Sequence, residues 1–341
     1  MMAMPLILPL PMEARLAAEL PPQPGWQYEP KWDGFRAIAG RDGDDVDIRS
    51  KSGKSLTRFF PEVAAALSAT RERRYVVDGE LILPIGGALS FDALQQRLHP
   101  ADSRIRKLSA QTPAQLMLFD CLALGEQDLA EAPLVQRRAA LERFHKAEGG
   151  AVLLLSPASR RIEDAQAWLE RSGGALDGII AKPLDRPYRP GERAMIKQKN
   201  YRSADCVVGG FRRTADGRGA ASLLLGLYDD AGALNHVGFT SSFKAQERPA
   251  LLAKLEPHAG GGGFTGKAPG GPSRWNKGRE TEWEPLAPEL VVEVVYDQVT
   301  GGRFRHGTRF LRWRPDKAPG QCRCDQLLAE LRPAELAQIM A

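Results

Sequence analysis

Near Tyr201 the texture of this chain changes, and that change limits what it can fold into more than any other feature. From Trp26 to about Asn200 short apolar runs alternate with helical ones. The pattern predicts strands at Phe35 to Ala39, Val46 to Arg49, Tyr75 to Leu83, Leu116 to Cys121, Val152 to Ser156 and Gly178 to Ala181, with helices near Pro61 to Leu67, Leu134 to Lys146 and Ile162 to Glu170. This is a mixed α+β layer pattern. After Tyr201 the predicted elements are strands (Cys206 to Phe211, Leu223 to Tyr228, Leu234 to Phe239, Leu290 to Tyr296) around one helix near Ala245 to Leu255, which suits a small β-barrel. At 341 residues, 43% of them apolar, the chain has material for two cores. The expected domains are 1–200 and 201–341. The glycine-rich run from Ala259 to Pro272 reads as a mobile loop.

Several classes lose support early. No glycine-rich phosphate loop of either common pattern opens a helix, which weighs against Walker-type and dinucleotide folds. The net charge of +5, with a pI near 9.0, favours a polyanionic partner such as nucleic acid. Four scattered cysteines, Cys121, Cys206, Cys322 and Cys324, do not make a disulfide framework and fit a reduced compartment. The pair Cys322 and Cys324 lacks a second ligand pair for zinc and reads as part of an exposed C-terminal segment. The opening MMAMPLILPLP has no positive flank and is broken by prolines, so it does not read as a signal peptide. No run approaches the roughly 18 apolar residues of a membrane span.

The stretch EPKWDGFRA, Glu29 to Ala37, is where chemistry concentrates. A lysine amine attacks only when neutral, and at an ordinary pKa of roughly 10.4 very little is neutral at pH 7. A nucleophilic Lys31 therefore needs cations such as Arg36 or partial burial beside it, with the Asp33 charge engaged elsewhere. The same residues would also suit a solvated strand. Further segments tip the balance: a basic turn at Arg49, Lys51 and Lys54; acids Asp78 and Glu80 at the end of an apolar strand; Phe119 within Leu118-Phe119-Asp120; Asp177-Gly-Ile-Ile-Ala-Lys182; and Lys197-Gln-Lys199.

In this order the segments resemble the covalent nucleotidyltransferases, which include ATP-dependent DNA ligases, RNA ligases and mRNA capping enzymes. The likeness runs from about Trp26 to Lys317. The closing run RFRHGTRFLRWRPDK, ending in Arg314-Pro-Asp316-Lys317, is similar to the last ligase motif. Within the superfamily the chain resembles the small bacterial DNA ligases built from an adenylation domain and an OB-fold domain. The resemblance implies an adenylation domain of ATP-grasp-like antiparallel sheets with flanking helices, followed by an OB barrel.

It also implies roles. Lys31 would attack the α-phosphate of ATP, Glu29 would face the adenine amino group and Phe119 would stack on the purine. Arg36 and Lys51 would bind phosphate, and Glu80 would bind the ribose or a metal. Lys197 and Lys199, two apart in a strand, would both meet the α-phosphate, while Arg314 and Lys317 would orient the leaving pyrophosphate. Mg²⁺ or Mn²⁺ would sit on Glu80 and Asp177. Two positions depart from the usual pattern, with Asp177 in place of Glu and Lys51 in place of Arg. The expected substrate is nicked duplex DNA, sealed in short-patch repair by a monomer in the cytoplasm beside the nucleoid. Alternatives are an RNA ligase or capping enzyme, and a non-catalytic OB protein that would have lost Lys31 or the phosphate lysines. All three lysines are present.

Overall fold

The computed structural model describes residues 7–86, 88–171, 176–270 and 282–327. The chain divides between Asn200 and Tyr201 into two compact units. The expectations for residues 1–6, 271–272 and 328–341 lie outside the described residues.

The first unit is built on two main sheets, beside a short ribbon of Pro84–Ile85 with Ala88–Leu89. A four-stranded sheet runs in the order Ala14–Leu16, Met195–Lys199, Leu176–Pro183 and Trp26–Trp32. A larger sheet runs Leu153–Leu155, Gln115–Leu124, Arg74–Ile82, Phe35–Asp42 and Asp45–Ser50. Neighbours pair antiparallel, apart from Ala14–Leu16 and Leu153–Leu155, which pair parallel with their partners. Strand alternation then sorts the side chains. Ala37, Ala39, Val77, Leu81, Leu116 and Leu118 pack in one core with Val63 and Leu67 of helix Pro61–Ser68 and Leu141 and Phe144 of helix Leu134–Glu148. Tyr28, Ile179, Ala181 and Ile196 of the small sheet pack against Ala165 and Trp168 of helix Ile162–Arg171. The alternate positions turn toward the large sheet, where Ile180 and Met195 pack with Ile38, Val76 and Leu122.

One expectation needs correction here, and several elements were not predicted. Trp26–Trp32 is a strand, although Pro30 marks it against one; it forms the sheet edge, where a missing N–H breaks no ladder. Asp78 and Glu80 lie inside strand Arg74–Ile82 rather than at its end. Two further helices, Phe91–Arg97 and Asp102–Gln111, are short.

The second unit is an antiparallel sheet in the order Leu234–Thr240, Ala220–Tyr228, Arg202–Arg213, Val291–Tyr296 and Arg309–Trp313. Its outer strands meet at one bridge between Thr240 and Thr308, with no ladder between them among the described residues. Helix Arg248–Leu255 contributes Leu251, Leu252 and Leu255 to the core. The glycine-rich run is held in place from Gly260 to Lys267, contrary to expectation. Phe264 is buried in that core, and the N–H groups of Gly260, Gly263 and Gly266 donate to Pro285, Leu286 and Leu234. One buried aromatic and three backbone bonds hold what composition alone would leave loose. Cys322 is likewise fully buried rather than exposed, and its carbonyl accepts from the Tyr228 N–H at 2.8 Å.

Candidate active site

Register across the small sheet assembles the lysines. Lys31 stands opposite Gly178, which stands opposite Lys199; in the next row of the same face Glu29, Ile180 and Lys197 are aligned. Gly178 therefore occupies the gap between the two outer lysines, about 5 Å from each strand. Its φ of +141° lies in the region that favours glycine. A Cβ there would overlap the Gln198 carbonyl oxygen and lie 2.9 Å from Lys199 Cα. The close approach of these strands requires a residue without a side chain.

A bulge supplies the carboxylate. Leu176 pairs with Trp32 and Gly178 with Lys31, so Asp177 is the extra residue. Such a bulge re-aims a side chain that regular alternation would send to the other face. Asp177 Oδ2 pairs with Lys31 Nζ, and Oδ1 lies 3.9 Å from Lys199 Nζ. Asp177 is 7% exposed, and its Oδ1 is buried without a hydrogen-bond partner. Burial, with Lys31 and Lys199 alongside, pushes the Lys197 amine below its ordinary value.

The large sheet forms the opposite wall. A cavity of about 60 Å³ is lined by Glu29, Lys31, Arg36, Glu80, Phe119 and Lys182, among others. Arg36 donates from Nε and Nη2 to the two oxygens of Asp78, each at 2.6 Å. Burial opposes the arginine charge, but Asp78 outweighs it and raises the pKa further. Glu80 is pushed up to about 7, mainly by burial, with Lys31 and Arg36 acting against the rise and Asp33 and Asp78 adding to it. Glu29, 2% exposed, accepts from Gln27 Nε2 at 2.7 Å and pairs with Lys182 at 2.8 Å. Lys182 also donates to the Phe119 carbonyl at 3.1 Å and lies 4.6 Å from that ring's centroid, as does the Arg36 guanidinium. Phe119 is itself 7% exposed.

Lys182 is the residue that sequence reasoning quoted but gave no role. Its signal was present, since it lies four residues after Gly178 on the same strand face. The remaining expected residues fall elsewhere. Lys51, in the turn after Asp45–Ser50, is exposed and 3.1 Å from Glu13. Arg314 and Lys317 belong to the second unit, where both pair with Asp205, at 2.9 and 2.7 Å. Arg314 also holds Asp316 at 2.8 Å. Among the described residues, no three His, Cys, Asp or Glu side chains converge as a metal site.

Residues 14–199 match the family model described as the ATP dependent DNA ligase domain, and residues 216–317 match the ATP dependent DNA ligase C terminal region. The chain belongs to the ATP-dependent DNA ligases. It is an enzyme that uses ATP to join DNA (EC 6.5.1.1). It is 47% identical over 331 residues to DNA ligase C1 of Mycolicibacterium smegmatis, covering 93% of each chain. It is 44% identical over 346 residues to DNA ligase C of Mycobacterium tuberculosis, covering 96% of each. A solved structure from work on Lig E DNA ligases shares the fold, with a TM-score of 0.55 at 17% identity over 91% of this chain and all of that one.

Proposed function

We propose that Lys31 is the nucleophile of a three-step nick-sealing reaction. The neutral Nζ attacks the α-phosphorus of ATP; an N–P bond forms as the P–O bond to pyrophosphate breaks, leaving lysyl-AMP. The 5′-phosphate of a nick then displaces Lys31 from the AMP, and the 3′-hydroxyl finally displaces AMP to close the phosphodiester. The observation that carries this reading is the row Lys31, Gly178, Lys199 with Lys197 beside it. It sets three amines and Glu29 on one face of the small sheet, and Phe119 lines the cavity beside Lys31 and Glu29.

The roles follow from position. Lys197 and Lys199 face the triphosphate, where developing charge on the leaving group needs fixed cations. Glu29, Lys182 and Phe119 form the base end. Arg36, with Nε and Nη2 held by Asp78, offers Nη1 to a phosphate, and Lys51 offers a more exposed charge. The unpartnered Asp177 Oδ1 and the charge-strained Glu80 carboxyl fit a hard divalent cation held by few protein oxygens. Mg²⁺ bound there would neutralise phosphate charge during the transfer. Arg314 and Lys317 serve the first step alone. The substrate is a nick with 3′-hydroxyl and 5′-phosphate ends in duplex DNA, as left by excision and resynthesis during repair, sealed by a monomer beside the chromosome.

Incubation with α-labelled ATP and Mg²⁺, resolved on a denaturing gel, tests the nucleophile. Wild type is expected to carry label, while Lys31→Ala and Lys31→Arg carry none, since a guanidinium stays protonated. Label on either variant moves the nucleophile elsewhere. Nicked all-DNA and nicked RNA duplexes, assayed together, separate DNA from RNA sealing.

A further inference from the structure

Arg36 sits in a closed ring of hydrogen bonds. Its Nη2 donates to the Met12 carbonyl at 3.2 Å. The Met12 N–H donates to the Tyr188 hydroxyl at 2.7 Å, and that hydroxyl donates to Asp78 Oδ2 at 2.7 Å. Asp78 in turn grips Arg36, which closes the ring. The ring is dry, with Asp78 fully buried, Tyr188 1% exposed and Met12 3% exposed. The Arg189 N–H reaches Met12 Sδ at 3.3 Å, and the Gly191 and Glu13 N–H groups donate to the Pro11 and Glu192 carbonyls, so several bonds tie the segments around residues 12 and 188. Met12 lies just ahead of the matched ligase domain, which begins at residue 14.

We propose that Tyr188 is a positioning residue for Arg36, acting through Asp78 and the Met12 backbone. A carboxylate that accepts only the arginine fork can rotate with it; the third bond from Tyr188 fixes the carboxylate plane, and hence the guanidinium plane. In a low-dielectric interior the bonds of such a ring strengthen one another. The Met12 carbonyl holds Nη2 from the other side. Both contacts turn on one phenol oxygen, which donates to Asp78 and accepts from Met12. Burial and the Asp78 charge keep that phenol well above its ordinary pKa, so its proton stays in the ring. The outcome is a guanidinium set against Phe119 with Nη1 free to meet phosphate.

The functional half of this proposal rests on the reading of Arg36 as a phosphate ligand, and two measurements separate them. Tyr188→Phe keeps the aromatic ring in its cluster with Ile38, Val76 and Met195 and removes only the hydroxyl. In protein labelled with ¹⁵N-arginine, the Arg36 Nε–H resonance, assigned by its loss in Arg36→Lys, should exchange with solvent at least about tenfold faster in Tyr188→Phe. An unchanged exchange rate overturns the proposal whatever Arg36 does. The second measurement is kcat/KM for lysyl-AMP formation in a double-mutant cycle. Tyr188→Phe should cost about tenfold when Arg36 is intact and less than about twofold in the Arg36→Lys background. Equal costs in both backgrounds overturn positioning through Arg36. An Arg36→Lys enzyme as active as wild type instead removes the phosphate role of Arg36, while the exchange measurement still decides whether Tyr188 orders its side chain.

Discussion

Gly178→Ala tests whether close approach of three strands builds the site. The substitution meets two penalties. A φ of +141° is strained for any residue with a Cβ, at about 1 to 3 kcal/mol. The new methyl also overlaps the Gln198 carbonyl, and the nearby Gln198 C and Lys199 Cα, each 2.9 Å away, are backbone atoms that cannot rotate aside. Overpacking of this kind costs about 1 to 3 kcal/mol more. Together they remove about 2 to 6 kcal/mol, and for a unit of this size each kcal/mol lowers Tm by about 2 to 4 °C. The expected loss is roughly 10 °C. Gly43→Ala is the control: its φ is +64°, yet nothing lies within 4 Å of an added Cβ, so it should lose about 1 kcal/mol. At a temperature where both variants stay folded, Gly178→Ala should form lysyl-AMP at least about tenfold more slowly, because relief of the clash moves Lys199 away from Lys31. A Gly178→Ala protein with wild-type Tm and wild-type adenylation would refute the register argument.

Three further perturbations follow. Asp177→Asn should slow adenylation in a way that raised Mg²⁺ or Mn²⁺ partly restores, while Asp177→Glu stays active; a fully active Asn variant would remove Asp177 from the metal site. Glu80, raised to about 7 from 4.5, favours the folded state when protonated, so its contribution is complete below about pH 4.5 and is lost as pH rises through 7. In Mg²⁺-free buffer wild type should therefore lose about 3 kcal/mol relative to Glu80→Gln across that window, and parallel urea-midpoint curves would contradict the assignment. Arg314→Ala with Lys317→Ala should abolish labelling by ATP yet spare sealing of a nick supplied already adenylated, with Asp205→Asn added to relieve the carboxylate left unpaired; equal losses on both substrates would make the pair a general DNA contact or a folding element.

What the sequence made legible was whatever it wrote as a local pattern. The strands holding Val77, Leu118 and Ile179 are apolar runs, and each appeared within a few residues of its place. Lys197 and Lys199 were assigned one face from their spacing alone, and the register places both beside Gly178 and Ile180. Tertiary facts were not legible. Nothing in Leu176-Asp177-Gly178 announces a bulge, because the extra residue exists only relative to Trp32 and Lys31 on another strand. The binding of Arg36 by Asp78 joins residues 42 apart in sequence. Phe264 is a single apolar residue among glycines, too weak a signal to set against their flexibility.

Charge is distributed along the pocket in a way that separates its two ends. Around Glu29 two ion pairs balance: Lys182 against Glu29 at 2.8 Å, and Arg36 against Asp78 at 2.6 Å. A neutral heterocycle entering there meets hydrogen-bonding groups and an aromatic face but no net field. At the other end Lys31 and Lys199 share one carboxylate, Asp177, and Lys197 has no carboxylate within salt-bridge reach among the described residues. Three amines against one acid leave an excess of positive charge, and burial, with Lys31 and Lys199 alongside, lowers the pKa of Lys197. A polyphosphate supplies that missing charge and a purine does not. In the proposed reaction this face of the small sheet would orient a nucleotide by charge balance, base toward Glu29 and phosphates toward Lys197, with the α-phosphate at Lys31.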